Sequence, residues 1–265
     1  VTNGGQSAFG ILANMLAGEM EDGSRCLIQF PLVPEYLGYT DAGLTQPFFT
    51  ASRPALEILP DNLFKYQVDF DNLEIGTDVA ALCASRPTNP SGNVLTDAEV
   101  RQLDKLARAK GIPLILDGAY GLPFPGIVFS EARPYWSDNV IMLASLSKLG
   151  LPGLRSGFLV ASEEIVEAFS RINTILNLAS SNPGPALISS LIRSGELMDL
   201  GRTVIRPWYQ QKQELALHAL RLALDDVPYR IHKPEGAFFL WLWFENLPCS
   251  SQQLYELLKG AGVLV

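Results

Sequence analysis

The sequence predicts an α/β protein built around a mostly parallel sheet, and three observations predict it. Short apolar runs recur at residues 79–84, 114–116 and 140–144, as in strands buried on both faces. A segment of helical length with a capping signature separates the first two, and strand, helix and strand at that spacing form a right-handed βαβ unit. Polar loops follow each run, and parallel sheets bind ligands beyond the carboxyl ends of their strands.

Composition narrows the function. The chain has 265 residues, 48% of them hydrophobic and 18% charged, ample material for a large core. A formal net charge of −8 argues against nonspecific nucleic-acid binding, which needs a positive surface. No apolar run reaches membrane-spanning length, and no basic-then-apolar leader opens the chain. Cys26, Cys83 and Cys249 are scattered and odd in number, which speaks against a disulfide framework, and Cys83 reads as a small core residue. His218 and His232 have no ligand-like spacing, so no metal is expected. The reading is a soluble protein of a reducing, cytoplasmic compartment. Both ends read as cut, with Leu264-Val265 inside a strand pattern.

In chain order, Thr2-Asn3-Gly4-Gly5-Gln6-Ser7 leads into residues 8–16, where Phe9, Leu12, Ala13 and Leu16 share a helical face. A glycine turn opening a helix aims free N–H groups and the positive end of the helix dipole at one point, which suits a phosphate. A plain turn capped by Ser7 gives the same pattern. Strand 26–30 runs into a proline-stiffened loop bearing Tyr36, an aromatic able to stack on a planar ring or to roof the core. Residues 44–78 hold short β-like pieces at 47–50 and 66–70 and no evident chemistry.

Strand 79–84 ends in the rigid polar loop Ser85-Arg86-Pro87-Thr88-Asn89-Pro90-Ser91-Gly92-Asn93. Thr96 and Glu99 form a capping box for a helix reaching about Lys110. Strand 114–116 delivers Asp117 at its carboxyl end, and Tyr120, three residues on, faces the same cleft. After strand 140–144 come Ser145-Leu146-Ser147-Lys148, a glycine-proline loop ending at Arg155, and the apolar run 157–161. A lysine between buried strands can shed its charge and act as a nucleophile that forms a Schiff base. A solvated turn lysine is the plainer reading of Ser-x-Ser-Lys alone.

Helices follow at 163–176 and 183–193, then a long helix over 198–224 kinked at Pro207. Strands 229–232 and 238–244 flank a Pro234-Glu235-Gly236 turn, and Ser250 caps a helix over 251–259. The expected division is a large cofactor-binding domain, residues 1–205, and a linking helix with an incomplete small domain, residues 206–265.

The loops at the strand ends thus gather Gly5, Gln6, Tyr36, Asn89, Asp117, Tyr120, Ser145, Lys148 and Arg155. In order and spacing these resemble the pyridoxal-phosphate site of the fold type I, class I/II aminotransferases. The match is carried by Asn89-Pro90-Ser91-Gly92, Asp117-Gly118-Ala119-Tyr120, Ser145-x-Ser147-Lys148 with Pro152-Gly153-Leu154-Arg155, and Pro234-Glu235-Gly236-Ala237-Phe238, where Ala237 replaces a usual glycine. Residues 34–43, 85–93, 120–126 and 231–236 look more narrowly like the valine–pyruvate branch of that family.

The resemblance implies pyridoxal 5'-phosphate as cofactor and amino-acid and 2-oxo-acid substrates, with amino transfer between valine and pyruvate. It implies Lys148 as the Schiff-base lysine and proton carrier, Asp117 as partner of the ring nitrogen, and Asn89 and Tyr120 on the phenolic oxygen. Tyr36 would stack on the ring, and Arg155, Ser145, Gly5 and Gln6 would hold the phosphate. It also implies a homodimer, and a substrate-carboxylate arginine beyond residue 265. Rival readings of the same site are a C–S lyase, a decarboxylase, or the effector-sensing domain of a transcriptional regulator.

Overall fold

A computed structural model describes residues 1–265. The chain builds two sheets. The larger has seven strands: β1 (Gly18–Glu19), β2 (Arg25–Phe30), β3 (Phe49–Ala51), β6 (Val79–Ser85), β7 (Leu114–Asp117), β8 (Val140–Ser145) and β9 (Gly157–Val160). β3, β2, β6, β7 and β8 run parallel, whereas β1 and β9 are antiparallel edges. Ser85 pairs with Asp117 and Asp117 with Leu143, so the carboxyl ends of the central strands are level. That levelling sets the strand-end loops side by side.

Both faces of this sheet are covered, which is why its strands read as continuous apolar runs. Ala81 and Cys83 pack with Phe9 and Leu12 of α1 (Gly5–Leu16) and Phe169 of α3 (Glu163–Asn177). Leu82 and Ala84 point the other way, onto Val100 and Leu103 of α2 (Asp97–Ala109). The capping box of α2 forms as expected: the Glu99 N–H donates to Thr96 Oγ1, and the Thr96 N–H to Glu99 Oε2.

The smaller sheet has the order β11 (Leu242–Phe244), β10 (Tyr229–His232), β5 (Leu63–Gln67), β4 (Ala55–Leu59). Its strands come from two distant stretches, with β10 parallel to β5. Residues 55–67 therefore have a structural role that their sequence left unassigned.

Three boundaries differ from expectation. The long helix is α5 (Glu196–Leu200), a π-helical turn (Gly201–Ile205) and α6 (Arg206–Ala223), so the irregular turn falls before Pro207, which sits in the first turn of α6. Of residues 238–244 only the last three are strand; Ala237 at φ 57° turns Phe238 and Phe239 off the sheet, toward Tyr120. Val263 to Val265 form no strand. α4 (Pro183–Ser194) and α7 (Ser251–Gly260) complete the helices, and no helix is long and apolar enough to cross a membrane.

Candidate active site

A cavity of about 360 Å³ opens at the carboxyl ends of the parallel strands. Gly5, Gln6, Tyr36, Asn89, Asp117, Tyr120, Ser145, Lys148 and Arg155 all line it, although they come from five separate loops. Its size falls in the ordinary range for a small-molecule site.

One end is built for an anion. The first i→i−4 bond of α1 is donated by Ala8 to Gly4, so the amides of Gly5, Gln6 and Ser7 lie ahead of the helix's own bonding. Gly4, at the cap position, has no side chain to offer them. Ser145 Oγ accepts from the Ser147 N–H at 3.2 Å and donates to Ser147 Oγ at 3.1 Å. The Arg155 guanidinium reaches the carbonyl oxygens of Pro152 and Asn3 rather than a carboxylate, leaving its charge uncompensated beside the helix end. Free amides, hydroxyls and an unpaired arginine are a donor set for a phosphate.

The other end is acidic. Asp117 Oδ1 accepts from the Ala119 N–H at 2.8 Å, and Oδ2 accepts from the Tyr39 hydroxyl. Burial pushes the Asp117 carboxyl up, and those two bonds oppose the shift. Beside it, burial pushes the Tyr120 hydroxyl up to about 12, with Asn89 acting in the opposite direction.

Lys148 stands between the two ends on a 3-10 turn (Ser147–Leu149) that leaves β8, and it is half-buried. Its Nζ lies 5.1 Å from the Tyr120 ring centroid and 5.5 Å from that of Phe238. Phe238 stacks on Tyr209 of α6 at 5.0 Å, so the C-terminal segment supplies an apolar wall facing the lysine. Tyr36 is 38% exposed, meets Tyr39 in a T-shaped contact and lines the cavity.

Sequence reasoning missed Tyr39, Ser85, Glu35 and Phe238. Tyr39 follows Tyr36 by one 3-10 turn (Leu37–Tyr39), a spacing that brings both rings to one side. Ser85, read from the sequence as the first residue of the polar loop, is the last residue of β6 and lies level with Asp117. Phe238 carries no sequence signal apart from the apolar run that contains it.

The family model for aminotransferase class I and II matches residues 59–265. The valine–pyruvate aminotransferase of Escherichia coli (strain K12) is 51% identical over 265 residues, which is all of this chain and 64% of that protein. A solved valine–pyruvate aminotransferase, AvtA from Salmonella typhimurium LT2, superposes with a TM-score of 0.92 at 48% identity, covering 99% of this chain and 66% of that one. An HTH-type transcriptional regulator of Bacillus subtilis (strain 168), YisV, is 30% identical over 179 residues, 64% of this chain and 35% of the regulator. The chain thus spans just under two thirds of the length of its E. coli relative.

Proposed function

This chain belongs to the class I and II aminotransferases, and from that premise we propose that its cavity carries amino transfer between valine and pyruvate, giving 2-oxoisovalerate and alanine. The observation that carries the reading is the position of Lys148 between an anion cup and a fixed carboxylate, in one cavity. The substrate pair is supported by 51% identity to the E. coli valine–pyruvate aminotransferase along the whole chain.

Members of this family use pyridoxal phosphate, and the donor set fits it: free amides and a guanidinium for the phosphate, a carboxylate for the ring nitrogen, an amine between them. When bound, that group supplies an aldehyde for amine exchange and an electron-withdrawing ring that stabilises negative charge at the substrate Cα.

The chain's residues do the rest. Lys148 would hold the aldehyde and, once displaced by the substrate amine, move the Cα proton. Asp117, held by Tyr39 and Ala119, would keep the ring nitrogen protonated. Asn89 and Tyr120 would hydrogen-bond the phenolic oxygen, and Tyr36 would lie against the ring. Arg155, Ser145 and the amides of Gly5 and Gln6 would bind the phosphate. Phe238 and Tyr209 offer an apolar surface to a branched side chain beside the lysine.

In the same reading, residues 1–205 are the cofactor-binding unit and residues 206–265 begin the substrate-side unit, joined by β4 and β5. We extend it to a cytoplasmic homodimer. Ile175, Leu176 and Leu178, at the end of α3, are 83%, 65% and 86% exposed, an apolar edge suited to a second copy.

The test is product formation. The protein loaded with pyridoxal phosphate and given valine and pyruvate should form alanine. Alanine from other donors but never from valine would remove the substrate pair and leave the reaction class; no amino transfer from any donor would remove both.

A further inference from the structure

Behind Asp117 lies a second acid that amino transfer, as described above, does not use. Glu35 Oε1 accepts from the Ser85 N–H at 2.8 Å, and its Oε2 pairs with Ser85 Oγ at 2.7 Å. Ser85 Oγ lies 3.4 Å from the Tyr39 hydroxyl, which donates its only proton to Asp117 Oδ2. Two carboxyls are therefore joined by two hydroxyls in series, each of which has one proton to give.

No lysine, arginine or histidine pairs with either acid; the ion pairs of the fold lie elsewhere. The titratable groups that face Glu35 are Asp117 on β7, Cys83 on β6, and Tyr36 and Tyr39 in its own loop, and none of them is cationic. A bound ring bearing N–H⁺ would bring a positive charge to the Asp117 end of this pair.

We propose that Glu35 is a positioning residue that sets, through Ser85 and Tyr39, how firmly Asp117 holds a proton on the cofactor's ring nitrogen. The proposal rests on the cofactor reading above. With Glu35 ionised, Ser85 Oγ–H points to Glu35, and the added negative charge favours a protonated ring nitrogen. With Glu35 protonated, its O–H points to Ser85, Ser85 turns its proton to Tyr39 oxygen, and the chain of bonds polarises Tyr39 more strongly toward Asp117. Asp117 then shares less of its charge with the ring. The reversal falls in the working range, because burial, abetted by Asp117, lifts Glu35 to about 7.

The experiment follows cofactor uptake and the visible absorbance of the loaded protein from pH 5.5 to 8.5 in wild type, Glu35→Gln and Ser85→Ala. Glutamine mimics the protonated acid: its Oε1 can accept from the Ser85 N–H, its Nε2 can only donate to Ser85 Oγ, and it cannot titrate. Wild type should bind pyridoxal phosphate roughly fivefold or more tightly above the Glu35 transition than below it, with an absorbance step at the same pH. Glu35→Gln should bind the cofactor without that step, and Ser85→Ala should shrink it. Equal uptake with the same pH profile in wild type and Glu35→Gln overturns this proposal alone. Failure of wild type to take up the cofactor overturns the cofactor reading and this proposal with it.

Discussion

Gly157 lies directly against Gly4: a side-chain carbon on Gly157 would stand 2.6 Å from the Gly4 carbonyl carbon and 2.8 Å from the Gly5 nitrogen. Thr2 closes the contact by exchanging two backbone bonds with Gly157, at 2.9 and 3.0 Å. The edge strand β9 thus fixes the turn that opens α1, and with it the anion end of the cavity.

Gly157→Ala should push that turn away and weaken pyridoxal-phosphate binding at least tenfold. Overpacking of this kind costs about 1–3 kcal/mol of stability. Equilibrium dialysis and urea unfolding check the two parts separately, and unchanged binding would mean that the turn is not the phosphate site.

Asp117→Asn keeps the size of the side chain and removes its charge. Valine–pyruvate amino transfer should fall by roughly two orders of magnitude or more while the fold is retained. Steady-state kinetics and circular dichroism check it.

Lys65 and Glu235 form a buried ion pair across 170 residues, and Lys65 also donates to Asn93 Oδ1 at 2.9 Å and to the Val94 carbonyl at 3.1 Å. The pair ties β5 and the turn after β10 to the loop that carries Asn89. Lys65→Met leaves the buried Glu235 with the exposed Lys233 ammonium, at 3.3 Å, as its one remaining cation, and should cost about 3 kcal/mol. Lys65→Met with Glu235→Leu should recover more than half of that loss in denaturant unfolding.

His232 is buried, and its ring nitrogen accepts the Tyr66 N–H at 3.2 Å. Burial, with the Lys65 charge adding to it, lowers its pKa to about 4, so the folded protein resists protonation that the unfolded chain accepts from about 6.5 downward. Its contribution to stability is complete above pH 6.5 and is lost as the pH falls toward 4, amounting to about 3 kcal/mol. Glu35, with a raised pKa, changes stability in the opposite sense over part of that range. Comparing wild type with His232→Gln at pH 7 and pH 4.5 isolates the histidine: the gap between them should narrow at the lower pH.

Local signals made much of this fold legible. The capping boxes at Thr96 and Glu99 and at Ser250 and Gln253 need only four adjacent residues, and both form. The buried parallel strands declare themselves because both faces are covered. β4 did not, because three of its five residues are exposed and the remote strand that completes its sheet, β10, lies more than 160 residues away. The cavity was readable for the same reason as the strands: residues at strand ends become neighbours in a level parallel sheet. Glu35, Tyr39 and Ser85 act through one another, and no spacing in the sequence records that Tyr39 faces Asp117 across 78 residues.

The most direct measurement is to load the protein with pyridoxal phosphate, reduce it with borohydride, and map the modified peptide by mass spectrometry. The account predicts a phosphopyridoxyl group on Lys148, and loss of the visible absorbance of the bound cofactor in Lys148→Ala. A modification on another lysine, or no stable modification of wild type, would contradict it.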